Sequence, residues 1–78
     1  MQKHSDGSVT FFLDDLRTTL TIQPGEIEIA RMALEDALKE NLKYNHTLRA
    51  VHILKYLGVP LRRALAAVRI AQAFPRQG

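Results

Sequence analysis

Ser8-Val9-Thr10-Phe11-Phe12-Leu13-Asp14-Asp15-Leu16-Arg17-Thr18-Thr19-Leu20-Thr21-Ile22 is the stretch on which the fold turns. Its β-branched and aromatic side chains favour extended backbone, because they pack well on a pleated surface. A two-residue turn at Asp14-Asp15 would pair Leu13 with Leu16, Phe11 with Thr18 and Val9 with Leu20. That register gathers Val9, Phe11, Leu13, Leu16, Thr18, Leu20 and Ile22 on one face and Thr10, Phe12, Arg17, Thr19 and Thr21 on the other. Aspartate accepts the positive φ of such a turn, though less readily than Asn-Gly. The competing reading is a short helix with Phe12, Leu13, Leu16 and Leu20 along one side, which the four threonines oppose. The pattern therefore predicts an N-terminal β-hairpin over residues 8–22.

Upstream, Met1-Gln2-Lys3-His4-Ser5-Asp6-Gly7 is polar and reads as a flexible lead-in with no secretory signal. Downstream, Gln23-Pro24-Gly25 breaks the alternation, and Pro24 followed by Glu26 and Glu28 is a helix start: proline suits the first turn and acids suit its dipole. Ile27, Ala30, Leu34, Ala37 and Leu38 then recur at helical spacing, predicting a helix over 25–42. After a polar connection, Asn45 or Thr47 can cap a second helix over 47–57, with Ala50, Ile53, Leu54 and Leu57 as its apolar side. Gly58 stops it and Pro60 opens a third helix to Phe74, before Pro75.

On this third helix Leu61, Ala64, Leu65, Val68 and Ala71 read as the core stripe, with Gln72 extending it. Ala67, Ile70 and Phe74 form a second apolar strip. A helix apolar on two sides is covered on two sides, either by the hairpin or by a partner. The fold class is thus α+β, mainly α: an N-terminal β-hairpin followed by three helices, the last two in a helix-turn-helix-like arrangement. The expected layout is one domain, with residues 24–74 as the three-helix unit and 75–78 as a flexible tail.

Charge is distributed unevenly. All eight acids lie in residues 1–40, whereas Lys43, Arg49, Lys55, Arg62, Arg63, Arg69 and Arg76 follow with no acid among them. A purely basic half suits nucleic acid or an acidic protein surface, or else simply attracts the acidic half. Chemistry has little to work with. The chain has no cysteine and only His4, His46 and His52 as histidines, its glycines are isolated, and Asp14-Asp15 sits where a turn would leave it exposed. No catalytic residue, metal site, cofactor or small-molecule substrate is expected. The absence of cysteine suits a reducing cytoplasm, and no apolar run is long enough to span a membrane.

Two functions remain. In the first, residues 50–69 form a helix-turn-helix that binds DNA as a homodimer and regulates it, with Arg49, Lys55, Arg62, Arg63 and Arg69 contacting nucleic acid. Against it, Leu54 is large for a close helix crossing, and Leu61 and Leu65 stand where a DNA-reading helix usually carries polar residues. In the second, a small regulator or inhibitor, antitoxin-like or adaptor-like, docks a protein through Ala67, Ile70 and Phe74. A basic helix lying on a membrane surface is weakened by the alanine content of the last helix.

Overall fold

A computed structural model describes residues 1–13, 17–40 and 46–74. The chain runs β1 (Gln2–Lys3), β2 (Val9–Leu13), β3 (Thr18–Ile22), α1 (Pro24–Lys39), α2 (His46–Tyr56) and α3 (Leu61–Ala73). The three strands form one antiparallel sheet in the order β1-β2-β3. The mainly helical α+β class expected from the sequence is the one observed, with the hairpin as β2 and β3.

The hairpin register differs from the expected one by two residues. Leu13 faces Thr18, Phe11 faces Leu20 and Val9 faces Ile22. The described pairing ends at Leu13 and Thr18, and Arg17 takes the left-handed conformation at φ 50. The Asp14-Asp15 turn itself lies outside the described residues. A type I′ turn needs positive φ at both central positions, which Asp-Asp supplies poorly, so pairing two residues away from the expected register escapes that demand. Because side chains alternate with period two, a shift of two leaves the paired residues 9–13 and 18–22 on their expected faces. Val9 and Ile22 are buried and Phe11 and Leu20 pack against the core, while Phe12, Thr19 and Thr21 face solvent.

The N-terminal segment, read from sequence as a flexible lead-in, adds the third strand. Gln2 pairs with Thr10 and Lys3 with Val9. Ser5-Asp6-Gly7 closes this pair: Gly7 N–H donates to His4 O at 3.1 Å, His4 N–H donates to Ser8 O at 2.9 Å, and Gly7 sits at φ 91. That is a three-residue loop with glycine in the left-handed position that side chains resist. Asp6 anchors it by accepting from both the N–H and the hydroxyl of Ser8, which holds the Asp6 carboxyl below its ordinary pKa.

α1 begins as the sequence predicts, with Pro24 in its first turn and Glu26 accepting the Gln23 N–H at 3.1 Å. α2 ends in a glycine cap. Gly58, at φ 95, donates to Lys55 O at 2.9 Å and Val59 donates to Leu54 O at 3.0 Å, which satisfies two carbonyls that the helix end would leave bare. Pro60 precedes α3, so four residues separate the two helices. The core draws on β2, β3 and all three helices, with Ile22, Leu54, Val68 and Ile70 its largest fully buried side chains. No helix among the described residues is long and apolar enough to cross a membrane.

Candidate nucleic-acid interface

α3 is enclosed on most of its circumference: Ala64, Ala66, Ala67, Val68, Ile70 and Ala71 are all buried. This differs from the expected core stripe, since Leu61 and Leu65 are 49% and 41% exposed while Ala66, Ala67 and Ile70 face inward. The helix is turned by roughly a quarter of its circumference from the sequence expectation. Small alanines on the inward side let α3 approach α1, α2 and β3 together, which a stripe of leucines would hold apart.

The second apolar strip is therefore not a surface. Ala67 and Ile70, expected to meet a partner, are buried in the core of the chain itself. Phe74 is half-buried and packs against that core, with Lys3 Nζ 4.4 Å from its ring centroid. Ile70 and Phe74 share the walls of one cleft with Val9 and Ile27, so the N-terminal sheet and the start of α1 cover this side. Of the two coverings weighed for a doubly apolar helix, the internal one is what the fold provides.

Both ends of α3 are tied to α1. At the N-terminal end, Arg63 grips Glu26 through two hydrogen bonds, Nε to Oε2 at 2.9 Å and Nη2 to Oε1 at 2.6 Å, and Nη2 also donates to Thr21 O at 3.0 Å. This charge-assisted pairing holds the Glu26 carboxyl below its ordinary pKa and raises that of Arg63. At the other end, Arg31 donates to Phe74 O from Nε at 3.1 Å and from Nη2 at 2.7 Å, a cation meeting a carbonyl just past the helix end. Gln72 donates to Thr47 Oγ1 at 2.6 Å and fixes the end of α3 against the start of α2.

The five expected nucleic-acid contacts separate into three kinds. Arg63 is the structural clamp just described, its charge matched by Glu26. Arg49 is exposed but pairs with Glu40, at the end of α1, at 3.4 Å. Lys55 lies six residues further along, about a third of the way round α2. Among the described residues, Lys55, Arg62 and Arg69 are exposed and make no hydrogen bond or ion pair. Arg62 and Arg69 are seven residues apart, which aligns them along one side of α3 about 10.5 Å apart with Leu65 between. No acid lies on α2 or α3. The fold thus brings Arg62 and Arg69 together, leaves Lys55 unpaired on the preceding helix, and takes Arg63 away. Lys43 lies outside the described residues.

The N-cap of α3 is Pro60, which provides no side-chain hydrogen bond, and the first turn holds no acid. No group of three or more His, Asp or Glu side chains among the described residues is placed to hold a metal ion. Comparison with protein families, with curated proteins and with solved structures finds no match to this chain.

Proposed function

We propose that the protein is a small non-catalytic regulator that binds duplex DNA as a homodimer, with α3 entering the groove and α2 with its glycine-capped turn setting the angle. The observation that carries this reading is the unpaired Arg62–Arg69 line on the one exposed stripe of an otherwise buried helix. Exposed arginines with no internal partner are available to phosphate oxygens or to the O6 and N7 edge of guanine, which they match with two hydrogen bonds. Rigid attachment supports it as well: Arg63 and Arg31 hold the two ends of α3, so the stripe is presented in one geometry. Leu65 between the arginines has the chemistry to meet a thymine methyl group.

A protein-binding regulator is the second reading. Its expected anchors, Ala67, Ile70 and Phe74, are occupied within the chain. What favours it now is Leu61 and Leu65, exposed beside Arg62 and Arg69 in the mixture of apolar and arginine side chains that interfaces favour.

Anisotropy of a labelled duplex with competitor DNA present, at about 0.15 M salt, separates the two, because non-specific attraction alone is weak there. With Lys55, Arg62 and Arg69 each neutralising one phosphate, log K should fall against log salt with slope about −2.7 per protomer. That is roughly a 40-fold loss between 50 and 200 mM, and about 10³-fold for a dimer using both copies. If Arg62 or Arg69 reads a base, its change to Ala costs about 1–3 kcal/mol and relaxes preference at one position, whereas Lys55→Ala weakens all sequences alike. Retention no better than for a charge-matched control protein, or equal loss for every basic substitution with no sequence preference to relax, would leave protein binding ahead.

A further inference from the structure

The outer side of α3 is a narrow strip. Its exposed residues are Leu61, Arg62, Leu65, Arg69, Gln72 and Ala73, and the others are buried or half-buried. At about 100° per residue, Leu65 lies near the middle of this strip, with Arg62 and Arg69 about 60° and 40° away on one flank and Leu61 and Gln72 on the other. Gln72 is engaged by Thr47, so that flank borders α2. The arginine flank has no internal partner. Along the helix axis Leu65 stands about 4.5 Å from Arg62 and about 6 Å from Arg69.

The chemistry of these three side chains restricts what each can face. A guanidinium carries only donors, set in a fork. In the major groove guanine alone shows two acceptors side by side, N7 and O6; adenine sets a donor beside N7, cytosine shows a donor, and thymine sets a methyl beside its O4. Leu65 has neither donor nor acceptor. Against a polar base edge it would displace water and return no hydrogen bond, whereas a thymine methyl loses nothing by being covered. Position agrees with this division, since Arg62 is the second residue of α3 and the N-terminal residues of a helix in the groove are those that meet base edges. Base pairs rise about 3.4 Å, so the roughly 10.5 Å between the arginines spans about three steps for a helix parallel to the duplex and fewer for one inclined to it.

We infer that α3 reads two guanines on one strand, two or three base-pair steps apart, with a thymine methyl between them. The inference rests on the DNA reading above and gives that reading a sequence. Arg62 takes one guanine and Arg69 the other, and their guanines share a strand because both arginines lie on the same flank of Leu65. Each guanidinium remains in the field of the neighbouring phosphates while it reads a base, so the salt dependence given above still holds.

Selection of duplexes from a random pool by the whole wild-type chain, at about 0.15 M salt, tests it. The enriched sequences should share two guanines at this spacing with a thymine-containing pair between them. Anisotropy on one of those duplexes then probes single atoms. Exchanging either guanine for adenine should weaken binding about 5- to 150-fold, and 7-deazaguanine, which pairs normally but lacks N7, about 10-fold. Uracil in place of the thymine removes only the methyl and should cost about 4-fold. Arg62→Ala should abolish discrimination at one guanine, Arg69→Ala at the other, and Leu65→Ala should erase the difference between thymine and uracil. All three side chains are exposed, and the base exchanges use wild-type protein alone, so they decide the matter even if a variant loses helix. Enrichment of a different sequence or of none among bound duplexes, guanines at another spacing, or arginine changes that relax both guanines equally, overturns the inference and leaves DNA binding in place. Retention of the pool no better than by a charge-matched control protein removes the DNA reading and this inference with it.

Discussion

Arg62 and Arg63 are adjacent, chemically identical and assigned opposite roles, so changing each to Gln offers a direct test. Arg63→Gln removes two charge-assisted hydrogen bonds to Glu26 and one to Thr21 O. Glu26 keeps its bond from the Gln23 N–H, but its side chain is 26% exposed and that of Arg63 32%, so water replaces the lost partner only in part. A bidentate pair in this position is worth more than a surface ion pair and less than a buried one, about 1–2 kcal/mol. For a chain of this size that is a fall in Tm of roughly 4–16 °C. Arg62→Gln touches no internal partner and should stay within about 0.5 kcal/mol of wild type. The pH dependence has a definite sign. The Glu26 carboxyl is held below its unfolded pKa by Arg63, so its contribution is complete above the unfolded value and disappears as pH falls through the folded one. The stability difference between wild type and Arg63→Gln should therefore shrink in acid. Thermal melts at neutral pH and at about pH 3 measure it, and salt titrations of DNA binding measure the other role. There Arg62→Gln should flatten the slope by about 0.9, and Arg63→Gln should leave it unchanged. Equal thermal effects for the two variants, or a pH-independent difference, would refute the clamp.

Ile70→Ala removes a side chain buried to 0% exposure and should destabilise by about 2–5 kcal/mol, a large share of what a domain of this length commands, whereas Leu65→Ala should lie near neutral; urea melts compare them. Gly58→Ala should lower stability by about 1–2 kcal/mol, entirely from the left-handed backbone at φ 95, because an added Cβ there would meet nothing within 4 Å. A Gly58→Ala protein as stable as wild type would show that the glycine cap does not set the α2–α3 turn.

The elements were legible in the sequence wherever one local rule governed them. Pro24, Gly58 and Pro60 marked helix ends through backbone geometry alone, and alternation sorted the two hairpin faces even though the register was two residues away. β1 was legible in principle: Ser5-Asp6-Gly7 is a three-residue hairpin loop, but the strand it introduces, Gln2–Lys3, is too short and polar to show periodicity. The orientation of α3 was not legible. Helical periodicity says which residues share a side, and this helix has Leu61 and Leu65 on one side and Ala67, Ile70 and Phe74 on another. Which side turns inward depends on Arg63 reaching Glu26, thirty-seven positions earlier, and on Arg31 reaching Phe74 O, forty-three positions away. Neither contact leaves a trace in local spacing.

The charge asymmetry along the chain resolves in the same way. If the basic half served only to attract the acidic half, its cations on α2 and α3 would each find an acid. Glu26 and Glu40 do take Arg63 and Arg49. The accounting then stops, since Lys55, Arg62 and Arg69 remain exposed and unpaired among the described residues. Meanwhile Glu35 and Asp36 are exposed on α1 rather than drawn toward them. Internal attraction thus accounts for the cations that position α3 and not for those on its outer stripe. On the DNA reading this division is useful: the paired arginines fix the geometry, and the unpaired ones are left for phosphate and base edges. Converting Arg62 and Arg69 together to Gln should consequently leave the melting temperature nearly unchanged while removing about 1.8 from the salt slope per protomer. A double variant that melted well below wild type would place those arginines in the fold after all and remove the main support for the nucleic-acid interface.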